Sequence, residues 1–131
     1  MRFAVDRLDH LVMTCADLEM TASWYQRVLG MERESFGTPA RTALRFGGQK
    51  INLHQFRAEF EPHAARPGPG TQDLCFVTAV PARDIVSHLL GCGVAVEAGP
   101  VSRTGALGPM SSVYCRDPDG NLIEISTYLD E

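Results

Sequence analysis

Four side chains able to bind a metal or move a proton lie at corresponding places in a 131-residue chain: His10, His54, Asp73 and Glu124. His10 precedes Gly30 by 20 residues, as Asp73 precedes Gly93. His54 follows Leu44 by ten, as Glu124 follows Tyr114. Two imidazoles and two carboxylates form a nitrogen and oxygen donor set suited to Zn, Ni, Mn, Fe or Co. With open positions on the ion, such a set supports Lewis-acid work or non-haem iron chemistry. Glu124 stands between Ile123 and Ile125, and an ionised carboxylate rarely occupies a central strand without a partner.

The elements that must position these residues repeat as well. Residues 7–14, RLDHLVMT, alternate as a strand. Asp17 is a helix N-cap for LEMTASWYQRVLG, whose stripe is Leu18, Ala22, Tyr25, Val28 and Leu29, and Gly30 stops it. MERESF, RTALRFGG and KINLHQF follow as strands. Residues 57–70, RAEFEPHAARPGPG, show no period and read as a linker or long surface connection. The pattern then restarts with QDLCFVT. Pro81 opens the helix ARDIVSHLL, and AVEAGPV, SSVYCRD and NLIEISTYL are strands. RDPDGN is a tight turn.

The sequence therefore predicts an α+β fold of two βαβββ modules, one spanning about 6–56 and one about 71–128, within a single domain. The offset between modules is 63 at the first pair and 70 at the second. The seven added residues are most simply placed in Ser102 to Pro109, SRTGALGP. Alternation assigns Leu11, Met13, Ile51, Leu53, Leu74, Phe76, Ile123 and Ile125 to the helix-covered sheet faces. Asn52 and the four titratable residues then take the opposite faces. Arg103, Tyr114 and Phe56 are candidates to contact substrate; Arg45 and Lys50 are further cations that could bind a substrate anion.

Composition narrows the alternatives. A net charge of −4 gives no electrostatic case for nucleic acid or an anionic membrane. No apolar run approaches the roughly 20 residues of a membrane span, and MRFAVDRLDH has no apolar signal core, so the expected location is cytoplasmic. Cys15, Cys75, Cys92 and Cys115 include no CxxC pair, which leaves a zinc knuckle unsupported. Cys75 and Cys115, in strand-like runs, read as small buried hydrophobes, and His63 and His88 as solvent-facing.

The paired modules, the opening DHLVMTCADLEMTASWYQRVLGME and the closing YCRDPDGNLIEIS resemble the vicinal-oxygen-chelate superfamily. It includes glyoxalase I, bleomycin-resistance proteins, fosfomycin-resistance thiol transferases and extradiol dioxygenases. KINLHQ, the proline-rich linker and RTGALGP look most like small glyoxalase-domain-containing proteins of the virulence and glyoxalase-domain-5-like kinds.

The resemblance implies a U-shaped curved mixed sheet with helices on its convex side, a divalent metal on the concave face and a homodimer. It carries a first-strand ligand onto His10 and a last-strand ligand onto Glu124. It sets His54 where glyoxalase I usually has a glutamate, and Asp73 where many members have histidine. The activity it implies is a metal-dependent lyase or isomerase acting on a small vicinal-oxygen molecule, such as a glutathione hemithioacetal. Glu124 would then be the general base. A ring-cleaving dioxygenase, a thiol transferase and a metal-free bleomycin-resistance-type binding protein are the alternatives.

Overall fold

The computed structural model describes residues 1–129. They form two compact units, residues 1–68 and 69–129, each with its own sheet. The first unit contains β1 (His10–Cys15), α1 (Leu18–Leu29), β2 (Glu32–Phe36), β3 (Arg41–Phe46) and β4 (Gln49–Gln55). The second contains β5 (Asp73–Val77), α2 (Ala82–Gly91), β6 (Ala98–Gly105), β7 (Gly108–Arg116) and β8 (Leu122–Tyr128). The strand orders are β1-β4-β3-β2 and β5-β8-β7-β6. Each sheet has one parallel pair, β1 with β4 and β5 with β8, and antiparallel hairpins elsewhere. Two βαβββ modules are therefore present.

Local chemistry explains the helices. The Asp17 side chain accepts the Met20 N–H at 3.0 Å, satisfying one of the unpaired donors of a helix start. Gly30 ends α1 at φ 67°, and its N–H returns to the carbonyls of Gln26 and Tyr25. α2 begins at Ala82, the first residue of ARDIVSHLL. Pro81 sits at the N-cap with φ −59° and ψ 147°, outside the first turn.

α1 packs on β2, β3 and β4, and α2 on β6, β7 and β8. Beneath α1 lie Met13, Leu44, Ile51 and Leu53, with Ala22, Tyr25 and Val28 from the helix, all buried. In the second unit Ile85 and Leu89 join Val113, Ile123 and Ile125. The core faces follow the alternation read from the sequence, although Leu11, Leu74 and Phe76 are only partly buried.

The linker is not a free connection. Residues 57–68 belong to the first unit, and Phe60 lies edge-on to the His54 ring at a centroid distance of 5.6 Å. The Arg41 guanidinium covers the same Phe60 ring at 4.4 Å.

Candidate functional site

The strand register fixes which residues of the two modules correspond. In the first module His10 pairs with Lys50 and Val12 with Asn52. In the second, Asp73 pairs with Leu122 and Cys75 with Glu124. With His10 matched to Asp73, the counterpart of Glu124 is Asn52, and the counterpart of His54 is Ser126. This corrects the expectation that His54 and Glu124 occupy the same place. Glu124 lies 72 residues after Asn52 while Asp73 lies 63 after His10, so the second module is nine residues longer over this span.

The growth is spread over four places. One residue enters before β6 and one at the β-bulge between Ala98 and Val101. Six enter the β6–β7 hairpin, where Val101 and Ser112 pair across ten residues; Phe36 and Arg41 pair across four. One more enters the β7–β8 turn. The extra stretch assigned to Ser102–Pro109 is thus mostly paired strand.

In the first module the face away from α1 carries His10, Lys50, Val12, Asn52, Thr14 and His54. His10 is exposed at the start of β1, and its Nδ1 lies 2.8 Å from Asp9 Oδ2. A carboxylate on one ring nitrogen fixes the tautomer and offers Nε2 outward, the arrangement of many metal-ligating histidines. His54 lies four residues further along, about 13 Å at strand rise, and is only 5% exposed. Burial, aided by the positive field of Arg41, holds its imidazole below the usual histidine range. Asn52, between them, is 9% exposed. Asn52 Oδ1 and His54 Nδ1 are buried without a hydrogen-bond partner. For Asn52 the cause is direct: its cross-strand neighbours are Val12 and Ala43, which have nothing to donate.

The second module gathers more of the expected residues. Glu124, half-buried, stands between Cys75 on β5 and Tyr114 on β7. Ser126 Oγ donates to Glu124 Oε2 at 3.2 Å and lies 2.6 Å from Ser112 Oγ and 3.3 Å from Cys75 Sγ. The Arg103 Nε–H donates to Tyr114 Oη at 3.0 Å, with the guanidinium 5.4 Å from the ring centre. Glu124, Tyr114 and Arg103 thus belong to one patch of the sheet.

Other candidates lie apart. Asp73 is exposed at the start of β5 and pairs with Leu122. Phe56 is half-exposed just past β4, with the Arg57 guanidinium 5.3 Å from its ring centre. Cys75 is exposed rather than buried, because β5 is an edge strand and Cys75 faces away from α2. Cys115 is fully buried as expected, and burial raises its thiol to about 11. His63 stands 3.1 Å from Glu61 in the linker that covers His54. Among the described residues, no group of three or more His, Cys, Asp or Glu side chains could hold a metal ion.

The chain is 54% identical to Virulence protein STM3117 of Salmonella typhimurium over 125 residues, 95% of this chain and 86% of that protein. The crystal structure of that protein superposes with a TM-score of 0.94, covering 97% and 100% of the two chains. Identity is also 54% to Glyoxalase domain-containing protein RDO1 of Mycosarcoma maydis over 129 residues, 98% of this chain and 72% of that one. Lactoylglutathione lyase from Agrobacterium tumefaciens shares the fold at a TM-score of 0.72, with 21% identity over 95% of each chain. Residues 7–125 match the family described as Glyoxalase/Bleomycin resistance protein/Dioxygenase superfamily, and the chain belongs to that superfamily.

Proposed function

We propose that the protein is a metal-dependent lyase or isomerase of the glyoxalase type acting on a small vicinal-oxygen substrate. The observation that carries this reading is the paired use of equivalent strand positions: His10 with Asp73, and Asn52 with Glu124. His10 of one copy, with Asp73 and Glu124 of a second, are the proposed ligands of a divalent ion, since among the described residues of one chain no group of three such side chains could hold one. His54 is left out of the set, because it lies four strand positions from His10 and two beyond the counterpart of Glu124.

The donors fit such an ion chemically. His10 has Asp9 behind its Nδ1, and Glu124 is steadied by Ser126. Three protein ligands leave coordination open for substrate, as catalytic centres require. The bound ion would supply Lewis acidity toward two neighbouring substrate oxygens. Glu124 accepts the proton from the adjacent carbon, and the Ser126 hydroxyl on Oε2 turns its other oxygen toward that task. Arg103 and Tyr114, linked to each other and beside Glu124, hold the substrate's polar end. A glutathione hemithioacetal is the first substrate to test. We place the protein as a homodimer.

Elemental analysis of protein never exposed to chelator should find a stoichiometric divalent metal, lost in His10→Ala. Glu124→Gln should reduce metal-dependent turnover by about 10²- to 10⁴-fold, the range of a general base. Full turnover in Glu124→Gln would sink the proton-transfer role. Oxygen uptake on catechols by the iron-loaded protein would move the reading to a dioxygenase, and metal-free wild type to a binding protein. An equimolar mixture of His10→Ala and Glu124→Gln chains regains activity if one site draws on two chains, since mixed dimers then hold one intact set.

A further inference from the structure

We infer that the polar face of the first module binds the carboxylate and hydroxyl of a small 2-hydroxycarboxylate, through Arg41, His54 and Asn52. The inference goes beyond the preceding reading: it names a ligand for a face outside the proposed metal centre, and its geometry lies wholly within residues 1–68.

Two buried polar side chains on one strand face, Asn52 and His54, carry atoms with no hydrogen-bond partner. Burying such an atom unpaired forfeits its bond to water without replacement, so two together on one face call for a ligand or a role. The pair is also chemically asymmetric. Asn52 Oδ1 only accepts, so its complement is a hydroxyl or amine hydrogen. Neutral His54 has one ring N–H to give and, beside Arg41, meets an anion more readily than a cation.

Arg41 supplies the charge. It precedes Thr42, the partner of Leu53, and so flanks His54 on β3. Among the described residues it has no ion pair, and its guanidinium rests on the Phe60 ring at 4.4 Å. The planar fork that pairs two donors with a carboxylate is therefore uncommitted. Of the other titratable groups acting on His54, the carboxylate of Glu59 accepts the Arg57 backbone N–H at 2.6 Å, and His63 stands 3.1 Å from Glu61. Phe60 closes the site with an apolar wall against both His54 and Arg41. A small acid whose hydroxyl reaches Asn52 and whose carboxylate reaches Arg41 and His54 satisfies every open group. A neutral molecule leaves the guanidinium uncompensated, and an acid without the hydroxyl leaves Oδ1 orphaned.

The test is titration of the full chain with lactate, lactamide and propionate, following the His54 imidazole signals by NMR, assigned by their loss in His54→Gln. Lactate should shift these signals saturably. Lactamide should bind at least about tenfold more weakly and propionate more weakly than lactate, as expected for losing a charge-assisted pair and a hydrogen bond. Arg41→Gln should weaken lactate about tenfold, with Arg41→Lys between the two. Equal binding of lactate and lactamide to wild type, or unmoved His54 signals, overturns the inference without relying on any variant. Chelator-treated and metal-replenished samples separate the two readings. A lactate response with no metal uptake removes the metal reading and keeps this one. Metal uptake with His54 unmoved does the reverse.

Discussion

The two modules share one plan of strands and satisfy their polar faces in opposite ways. In the second, Glu124 is served by Ser126, which also meets Ser112 and Cys75. Hydroxyl and thiol groups supply donors inside the sheet face, and the carboxylate is held without help from elsewhere. In the first, Asn52 stands in the place of Glu124 with Val12 and Ala43 for neighbours, and His54 stands in the place of Ser126. That face is buried but incomplete. Equivalent positions thus carry a self-sufficient carboxylate in one module and unmet hydrogen-bonding capacity in the other. A duplicated scaffold lets one half hold a reactive group while the other reads a ligand.

The comparison can be broken most forcefully in the cores. Ile51 and Ile123 are counterparts, each fully buried beneath its own helix. Each truncation to alanine should cost about 2–5 kcal/mol. If the modules unfold as one cooperative unit, both variants lower a single urea midpoint; two separate transitions would show that each half carries its own stability.

A smaller effect, of opposite sign, is expected at the polar faces. Asn52→Leu removes an unpaired buried acceptor among apolar neighbours and should stabilise the protein by about 1 kcal/mol. Gain of stability with loss of ligand response would mark Asn52 as a residue kept for function. Destabilisation would mean that Asn52 is satisfied in solution and that the contrast between the modules is weaker than drawn.

The smallest effect is a pH dependence confined to the first module. His54 protonates less readily folded than unfolded, because of its burial and Arg41. The unfolded chain therefore takes up the proton first as pH falls below about 6.5. Stability is lost on acidification through that value toward the lower folded one. His63 works the other way, since its backbone contact with Ala64 and the nearby Glu61 raise its value. Wild type minus His54→Gln isolates the His54 contribution: the gap between their urea midpoints should change between pH 7.5 and 5.5. Parallel midpoints would indicate a solvated His54.

Periodicity carried the fold, because a stripe at three or four residues and a strict alternation each report one covered face. Met13, Ile51 and Ile123 were legible for that reason. Register was not legible. The bulge between Ala98 and Val101 is marked only by Gly99 and Pro100, which read equally as a plain turn, and nine residues gained at four places defeat any single offset. Hence spacing alone matches His54 with Glu124 and gives Asn52 no more than a place on the same face. Phe60 was hidden differently: one aromatic side chain packed on a strand has no period, so a structured segment read as a linker. Cys75 misled because edge strands look like central ones in sequence.

The same nine residues bear on folding. Each sheet closes through one long-range step, a parallel pairing that spans 40 residues in β1–β4 and 49 in β5–β8. Loop-closure entropy grows only with the logarithm of length, so the longer span costs about 0.2 kcal/mol more. The second module could therefore lengthen its hairpin and tight turn almost without thermodynamic penalty. All the pairings of the first sheet lie within its own half of the chain, so that sheet can assemble during synthesis before β5 exists.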